Sequence, residues 1–177
     1  MSIDVIAGAA AGPFATACVV LAFAGSSKVR RPERTGPAAA ALGLPASVAT
    51  VRALGLLELS VAVAGLAVGR VAAAAVAVMF AALAIVAWRL RARAPETPCG
   101  CLGAAEAPVA ASHIVVNVAA AIAAALATAA GSPLTAAGPG LWSRAAFVLL
   151  VCCGAGLLTA ALESLPALTR AMQGGPA

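Results

Sequence analysis

Long apolar runs dominate the sequence and limit what the chain can fold into. They cover residues 3–25, 45–68, 71–90, 108–130 and 141–162, and each is close to the about 20 helical residues that cross a hydrocarbon core. Backbone polar groups inside hydrocarbon must be paired within the segment or in a closed barrel, and runs this rich in Ala and Leu favour helices over alternating strands. We therefore predict an all-α polytopic membrane helical bundle, with five transmembrane helices and a four-helix core.

Composition and charge agree with insertion into a lipid bilayer. Hydrophobic residues make up 63% of the 177 residues and charged residues 10%, whereas soluble domains carry roughly 25% charged residues. The net charge of +5 does not require a nucleic acid partner, because the basic residues flank the membrane segments, where we expect them to be solvated. These residues are Lys28, Arg30, Arg31, Arg34, Arg89, Arg91 and Arg93. We predict a multi-pass protein of the cell membrane.

The chain divides simply. We predict one transmembrane domain over residues 1–170 and a disordered tail over residues 171–177. Only Gly69 and Arg70 separate the second and third segments, so these segments form a tight antiparallel pair with Gly69 at positive φ.

The first segment lacks the basic stretch of a signal peptide, and we expect it to stay attached. The basic clusters lie after the first and third segments, on a side that the positive-inside rule makes cytoplasmic.

Two cysteines form the motif that carries chemistry. Cys99 and Cys101, separated by Gly100, lie in the loop between the third and fourth segments. Such a pair can close a small, strained disulfide that is easier to reduce than a structural bridge, and Gly100 supplies the backbone freedom that the ring needs. That favours an exchanging dithiol. The same thiolates would bind a soft metal ion such as Cu(I) or Zn(II), although two sulfurs do not complete a tetrahedral site.

Three polar side chains within the apolar segments are further candidate site residues. His113 and Asn117 lie one helical turn apart, where His113 would lower the pKa of a loop thiol or relay a proton. Glu58 lies deep in the second segment, where a carboxyl is costly and usually faces the bundle interior. Helical rise places Glu58 and Asn117 roughly 16 Å and roughly 14 Å inside their segments. The alternatives are structural: an interfacial anchor for His113 and a packing hydrogen bond for Glu58.

The other three cysteines fall near mid-membrane. Cys18, Cys152 and Cys153 either fill space as small apolar residues or join Glu58 and Asn117 in a buried layer beneath the dithiol. In that layer they would relay electrons. Because adjacent cysteines close an awkward disulfide ring, contact with Cys18 is the easier partner geometry for the Cys152-Cys153 pair.

These motifs resemble a known family. The Cys-Gly-Cys-Leu-Gly segment at residues 99–103, followed by Ser-His-Ile-Val-Val-Asn at 112–117, resembles the methylamine utilisation protein MauE family, whose members are DoxX-like and vitamin K epoxide reductase-like helical membrane proteins. The resemblance extends to Glu58, to the basic residues 28–34 and to Leu-Gly-Leu-Pro at 42–45. It covers about residues 5–130 of the chain.

The resemblance implies a function. It implies a membrane thiol-disulfide oxidoreductase that passes electrons between the Cys-Gly-Cys dithiol and a thioredoxin-like partner or a quinone. It also implies a dithiol outside the cytoplasm, opposite to the charge count. Leu102 and Val116 stand where the family usually has Phe and often has Arg. These departures leave the thiol chemistry available, but a role for that Arg does not carry over.

Two other functions are compatible with the sequence. One is a carrier for a soft metal ion such as Hg(II) or Cu(I), with Cys99, Cys101, Cys152 and Cys153 as ligands. The other is a non-enzymatic membrane subunit that anchors a soluble partner. Metal binding that depends on both cysteine pairs would favour the carrier, and full function after serine replacement of Cys99 and Cys101 would favour the anchor. The sequence contains no phosphate-binding loop, hydrolase triad or nucleic-acid motif.

Overall fold

A computed structural model describes residues 3–67, 69–98, 100, 109–128 and 140–172. Most of these residues are helical, and no β-strand occurs within them. The helices are α1 (Ile3–Arg30), α2 (Gly36–Ala41), α3 (Val48–Ala67), α4 (Arg70–Arg93), α5 (Ala111–Ala127) and α6 (Leu141–Met172). A short 3-10 turn at Pro32–Arg34 precedes α2. The all-α class predicted from the sequence is confirmed.

Four of these helices contain stretches long and apolar enough to span a membrane: Ala9–Arg30, Val48–Ala67, Arg70–Arg93 and Leu141–Leu162. The fifth, α5, is apolar but has 17 residues, a length of about 25 Å, at the lower limit for a spanning helix. Trp88 and Trp142 are exposed near opposite ends of the bundle, where indole rings favour the membrane interface. The chain is therefore a multi-pass helical membrane protein.

The four-helix core is a closed ring. Helix α1 contacts α3 and α5, α3 contacts α4, and α4 contacts α5. Inside the ring, Phe14, Leu21, Val76 and Phe80 pack with small residues of the same four helices. Helix α6 lies outside the ring against α1, and large apolar side chains remain exposed along it, as expected for a surface that faces lipid.

Helix ends follow local signals in the sequence. The Ser47 hydroxyl accepts a hydrogen bond from the backbone N–H of Thr50 at 3.1 Å and so caps the start of α3. Gly69 has a φ of 84° and directly precedes α4, which confirms the predicted turn between the antiparallel helices α3 and α4. Helix α6 continues to Met172, and the rest of the predicted disordered tail, residues 173–177, lies outside the described residues.

Residues 31–47 and the described residues 94–98, 100, 109 and 110 lie at one end of the bundle, which we call the loop end. Here α2 packs on the last turns of α4: Ala38 is buried with Ala87, Leu90 and Val109. The link between α1 and α3 therefore packs against α4 and against Val109, which lies just before α5.

Helices α1 and α3 approach so closely that their backbones touch. A Cβ atom placed on Gly25 would lie 2.6 Å from the Gly55 carbonyl oxygen, and one placed on Gly55 would lie 2.7 Å from the Gly25 carbonyl oxygen. No side chain fits at either position without separating the helices. Such close packing of small residues is a principal source of helix association inside a membrane.

We expect Gly25→Ala to lower the free energy of unfolding by about 1–3 kcal/mol, because the new methyl group collides with backbone that cannot move aside. The control is Gly12→Ala in the same helix, where nothing lies within 4 Å of the added Cβ. Reversible unfolding of the two variants in detergent, followed by circular dichroism, measures the difference. Equal stability of the two variants would contradict the close approach of α1 and α3.

Candidate functional site

The backbone between the two loop cysteines is fastened to the bundle at Gly100. Gly100 is buried and has a φ of 61°, a conformation that glycine adopts without strain. A Cβ there would collide with the carbonyl oxygen of Arg34. The Thr35 hydroxyl, itself 8% exposed, donates a hydrogen bond of 3.3 Å to the Gly100 carbonyl. The residue that the sequence marks as flexible is thus fixed against the segment that follows α1.

Cys99 and Cys101 themselves lie outside the described residues. Their predicted disulfide and metal chemistry therefore stay predictions. Their chain neighbour Gly100 is at the loop end, next to the Arg34–Thr35 backbone.

A buried ion pair joins α1 to α3 near the loop end. The Lys28 Nζ atom lies 2.8 Å from Glu58 Oε2, and the two side chains are 2% and 0% exposed. The second carboxylate oxygen, Oε1, has no hydrogen-bond partner among the described residues. Glu58 faces the bundle interior, and its partner is a lysine that lies close to the end of α1.

The two glycines and the ion pair belong to one antiparallel register. Gly25 lies opposite Glu58, whose Cβ is 3.1 Å from the Cβ position of Gly25, and Lys28 lies opposite Gly55 at a similar separation of 2.9 Å. Each charged residue therefore faces a glycine of the other helix. The space that the glycines leave lets the two long side chains meet between the helices.

The prediction that Lys28 is solvated was wrong. The neighbouring Arg30 and Arg31 are exposed, as expected for residues that flank a membrane segment, whereas Lys28 is buried. The sequence did contain a signal for the pair: a carboxyl deep in an apolar segment requires a partner, and Lys28 is the only lysine of the chain.

His113 and Asn117 lie on one face of α5, as their spacing predicted, and both border a cavity. The imidazole Nδ1 atom accepts a hydrogen bond of 3.3 Å from the backbone N–H of Ala110. The neutral ring then carries its proton on Nε2, which is available as a donor. Part of the role of His113 is therefore structural, because its ring caps the first turn of α5.

The cavity brings three polar side chains together. It has a volume of about 40 Å³, and Lys28, His113 and Asn117 line it along with apolar residues of α1, α4, α5 and α6. A larger cavity of about 330 Å³ follows it towards the middle of the bundle and is lined by apolar residues and Thr16. Val20, Phe80 and Val116 border both cavities. Asn117 thus borders the same cavity as Lys28, whose ammonium group binds the Glu58 carboxylate.

The three described cysteines do not join this cluster. Cys18 is buried, with its Sγ atom 2.9 Å from the Cβ position of Gly65, seven residues or about 10 Å further along α3 than Glu58. Thr16, two residues before Cys18, faces α6 at Gly154, so Cys18 points away from α6. Cys152 and Cys153 are exposed on α6. A relay between Cys18 and these two cysteines has no contact to support it.

We expect Lys28→Met to destabilise the protein by about 3–5 kcal/mol, because it leaves the Glu58 carboxylate buried without its partner. The double variant Lys28→Met, Glu58→Leu removes both charges and should recover most of this loss. A double-mutant cycle of unfolding free energies in detergent measures the coupling. Strictly additive effects of the two substitutions would show that the pair contributes nothing.

A family model described as methylamine utilisation protein MauE matches the chain over residues 7–130. This range includes α1 to α5 almost completely and excludes α6. Comparisons with curated proteins and with solved structures find no similar chain. The matched range contains the ring of four helices, the Lys28–Glu58 pair and the anchored loop, and the resemblance noted in the sequence is confirmed. The chain belongs to the methylamine utilisation protein MauE family.

Proposed function

We propose that the protein is a membrane thiol-disulfide oxidoreductase whose exchanging group is the Cys99–Cys101 dithiol. The observation that carries the proposal is the anchoring of Gly100. A glycine at positive φ, buried and held by the Thr35 hydroxyl, keeps the backbone between the two cysteines in one place at the rim of the bundle. A fixed backbone lowers the entropy cost of aligning two sulfurs with a third in exchange.

The exchange balances without a further reactant. A thiolate of Cys99 or Cys101 attacks one sulfur of a disulfide in the partner, and the other partner sulfur leaves as a thiolate. The remaining cysteine of the pair then attacks the mixed disulfide and releases the partner as a dithiol. The Cys-Gly-Cys pair is oxidised by two electrons and the partner is reduced by two, and the reaction is reversible.

The proposed partner is a thioredoxin-like protein that reaches the loop end from the aqueous phase, with a quinone as the other candidate. We propose the cell membrane as the location. Lys28, Glu58, His113 and Asn117 support the proposal as a polar group at the same end of the bundle as the loop. We propose that they position the loop and transfer the protons that the attacking thiols lose and the leaving thiolates gain.

The two alternative functions, a soft-metal carrier and a non-enzymatic anchor subunit, make different demands on the cysteines. A soft-metal carrier needs the loop pair and the Cys152–Cys153 pair to hand over an ion, and the latter pair is exposed on the outer helix α6. An anchor subunit needs neither thiol.

We expect a membrane-impermeant maleimide, applied to intact cells, to label Cys99 and Cys101 only after reduction. The background is a chain with Cys18, Cys152 and Cys153 replaced by serine, so that only the loop pair reacts. Further replacement of Cys101 leaves Cys99 without a partner, and we expect this control to be labelled without reductant. Gel shifts of the labelled chain measure the number of reactive thiols.

Two other labelling results would contradict the proposal. Labelling of the pair that is indifferent to reductant would exclude a disulfide and the proposed function. Labelling that requires broken cells would place the loop in the cytoplasm, where a stable disulfide is rare, and would contradict the outside location that the family resemblance implies.

We expect Gly100→Ala to shift the dithiol–disulfide equilibrium with glutathione by about tenfold or more, because both the positive φ and the collision with Arg34 displace the loop. The control is Gly43→Ala, which has a φ of 70° but nothing within 4 Å of its Cβ position. Gly43→Ala introduces the same unfavourable positive φ but no collision with a neighbouring residue. An unchanged equilibrium in Gly100→Ala would show that the anchor does not control the dithiol.

A further inference from the structure

Two neighbouring cavities lie along α1 and α5, one with a polar lining and one with a mainly apolar lining. The smaller cavity, at the loop end, is bordered by Lys28, His113 and Asn117, and the larger one by Thr16 and apolar residues of α1, α4, α5 and α6. Their shared residues Val20, Phe80 and Val116 show that the two spaces are neighbours. A molecule that fills both must have a small polar end and an apolar body.

The polar end presents hydrogen-bond donors. The Lys28 ammonium group has three donors, of which one is used at 2.8 Å by Glu58. His113 accepts at Nδ1 from Ala110 and so retains an Nε2–H donor, and the amide of Asn117 adds two more. A ligand at this end therefore has to supply acceptor oxygens.

The charge balance selects a neutral acceptor. Glu58 already compensates Lys28, the charged side chain that lines the cavity among the described residues. A carboxylate or phosphate head would leave one uncompensated negative charge in an apolar bundle, which costs several kcal/mol. A neutral carbonyl accepts the same hydrogen bonds without that cost.

Size decides how such a ligand would lie. A cavity of about 150 Å³ accepts a benzene ring. The volume of about 40 Å³ at the polar end is too small for a ring, and the volume of about 330 Å³ beyond it is large enough. A carbonyl oxygen therefore fits the small cavity, while the ring or chain that bears it fits the large one.

We propose that the two cavities bind a lipid-soluble molecule through a neutral carbonyl oxygen, which accepts hydrogen bonds from Lys28, His113 and Asn117, with its apolar body along α5 and α6. A quinone and a fatty-acyl ester share this chemistry. The site concerns binding alone and does not require the thiol exchange, although a quinone in it would supply the electron acceptor for the proposed function.

The experiment compares four probes with alkyl chains of about the same length: a decyl-substituted benzoquinone, decyl acetate, decanoate and decylbenzene. Each is titrated onto captured, detergent-solubilised protein, and the retained probe is quantified by liquid chromatography. The protein is the Cys99→Ser, Cys101→Ser variant, so that a failed thiol exchange and a failed binding site are separate results. We expect at least one of the two carbonyl probes to bind tenfold or more tightly than decanoate and decylbenzene.

The probe that binds most tightly shows whether the site accepts a ring carbonyl or an acyl ester. Tight binding of the benzoquinone alone identifies a ring carbonyl, and tight binding of decyl acetate identifies an acyl ester; both support the site. Equal affinity for decylbenzene would mean that the cavities take up any hydrocarbon, and tighter binding of decanoate would mean that the site selects an anion. Either result overturns the proposal.

Substitutions in α5 test whether the probes bind in these two cavities. Asn117→Leu removes the amide donors and should weaken the carbonyl probes by about three- to tenfold, without affecting decylbenzene. Ala123→Phe fills the larger cavity and should abolish binding, whereas Ala125→Phe on the exposed face of the same helix should not. Unchanged affinity in both Asn117→Leu and Ala123→Phe would overturn the proposal even if probes bind elsewhere.

Discussion

The close approach of α1 and α3 is the contact on which the rest of the molecule depends. Gly25 and Gly55 bring the two backbones together, and in the same register Lys28 and Glu58 form an ion pair that is almost completely buried. Either a carboxylate or a lysine alone at this depth would be strongly unfavourable. Because each requires the other, the pair also specifies which face of α1 meets which face of α3, and so orients the ring of four helices.

This orientation places the loop end. The segment after α1 turns at Pro32–Arg34, and α2 then packs on the last turns of α4. The Arg34–Thr35 backbone is thereby brought against Gly100, where a hydroxyl and a carbonyl hold the middle of the Cys-Gly-Cys motif. The ion pair, the 3-10 turn and the anchored glycine are consecutive parts of one arrangement, since Lys28 lies only a few residues before the turn. Helix α6, which packs outside the ring, takes no part in it.

Family membership and geometry support different parts of the functional account. Membership rests on residues 7–130, the range that contains the ring and the loop. The geometry adds what the family description does not contain: a polar cavity beneath the loop end, an apolar cavity beyond it, and a separation between these and the remaining cysteines. Cys18 fills space beside Gly65, and Cys152 and Cys153 face outward from α6. The loop pair is therefore the thiol group on which the proposed exchange depends.

The sequence alone determined the membrane class, the helices and the turn at Gly69, because these follow from hydropathy and backbone preferences within short stretches of chain. It also indicated Glu58, His113 and Asn117, since polar groups in apolar segments are costly wherever they point. It did not reveal that Lys28 is the partner of Glu58 or that Thr35 holds Gly100, residues separated by 30 and 65 positions. The sequence also suggested a common depth for Glu58 and Cys18, but Cys18 lies beside Gly65, seven residues further along α3. Helical rise gives the distance along one helix but not the register between two helices. Only the tertiary structure decided these pairings: Gly25 and Gly55 set how closely α1 and α3 pack, and the packing of α2 on α4 brings Thr35 to Gly100.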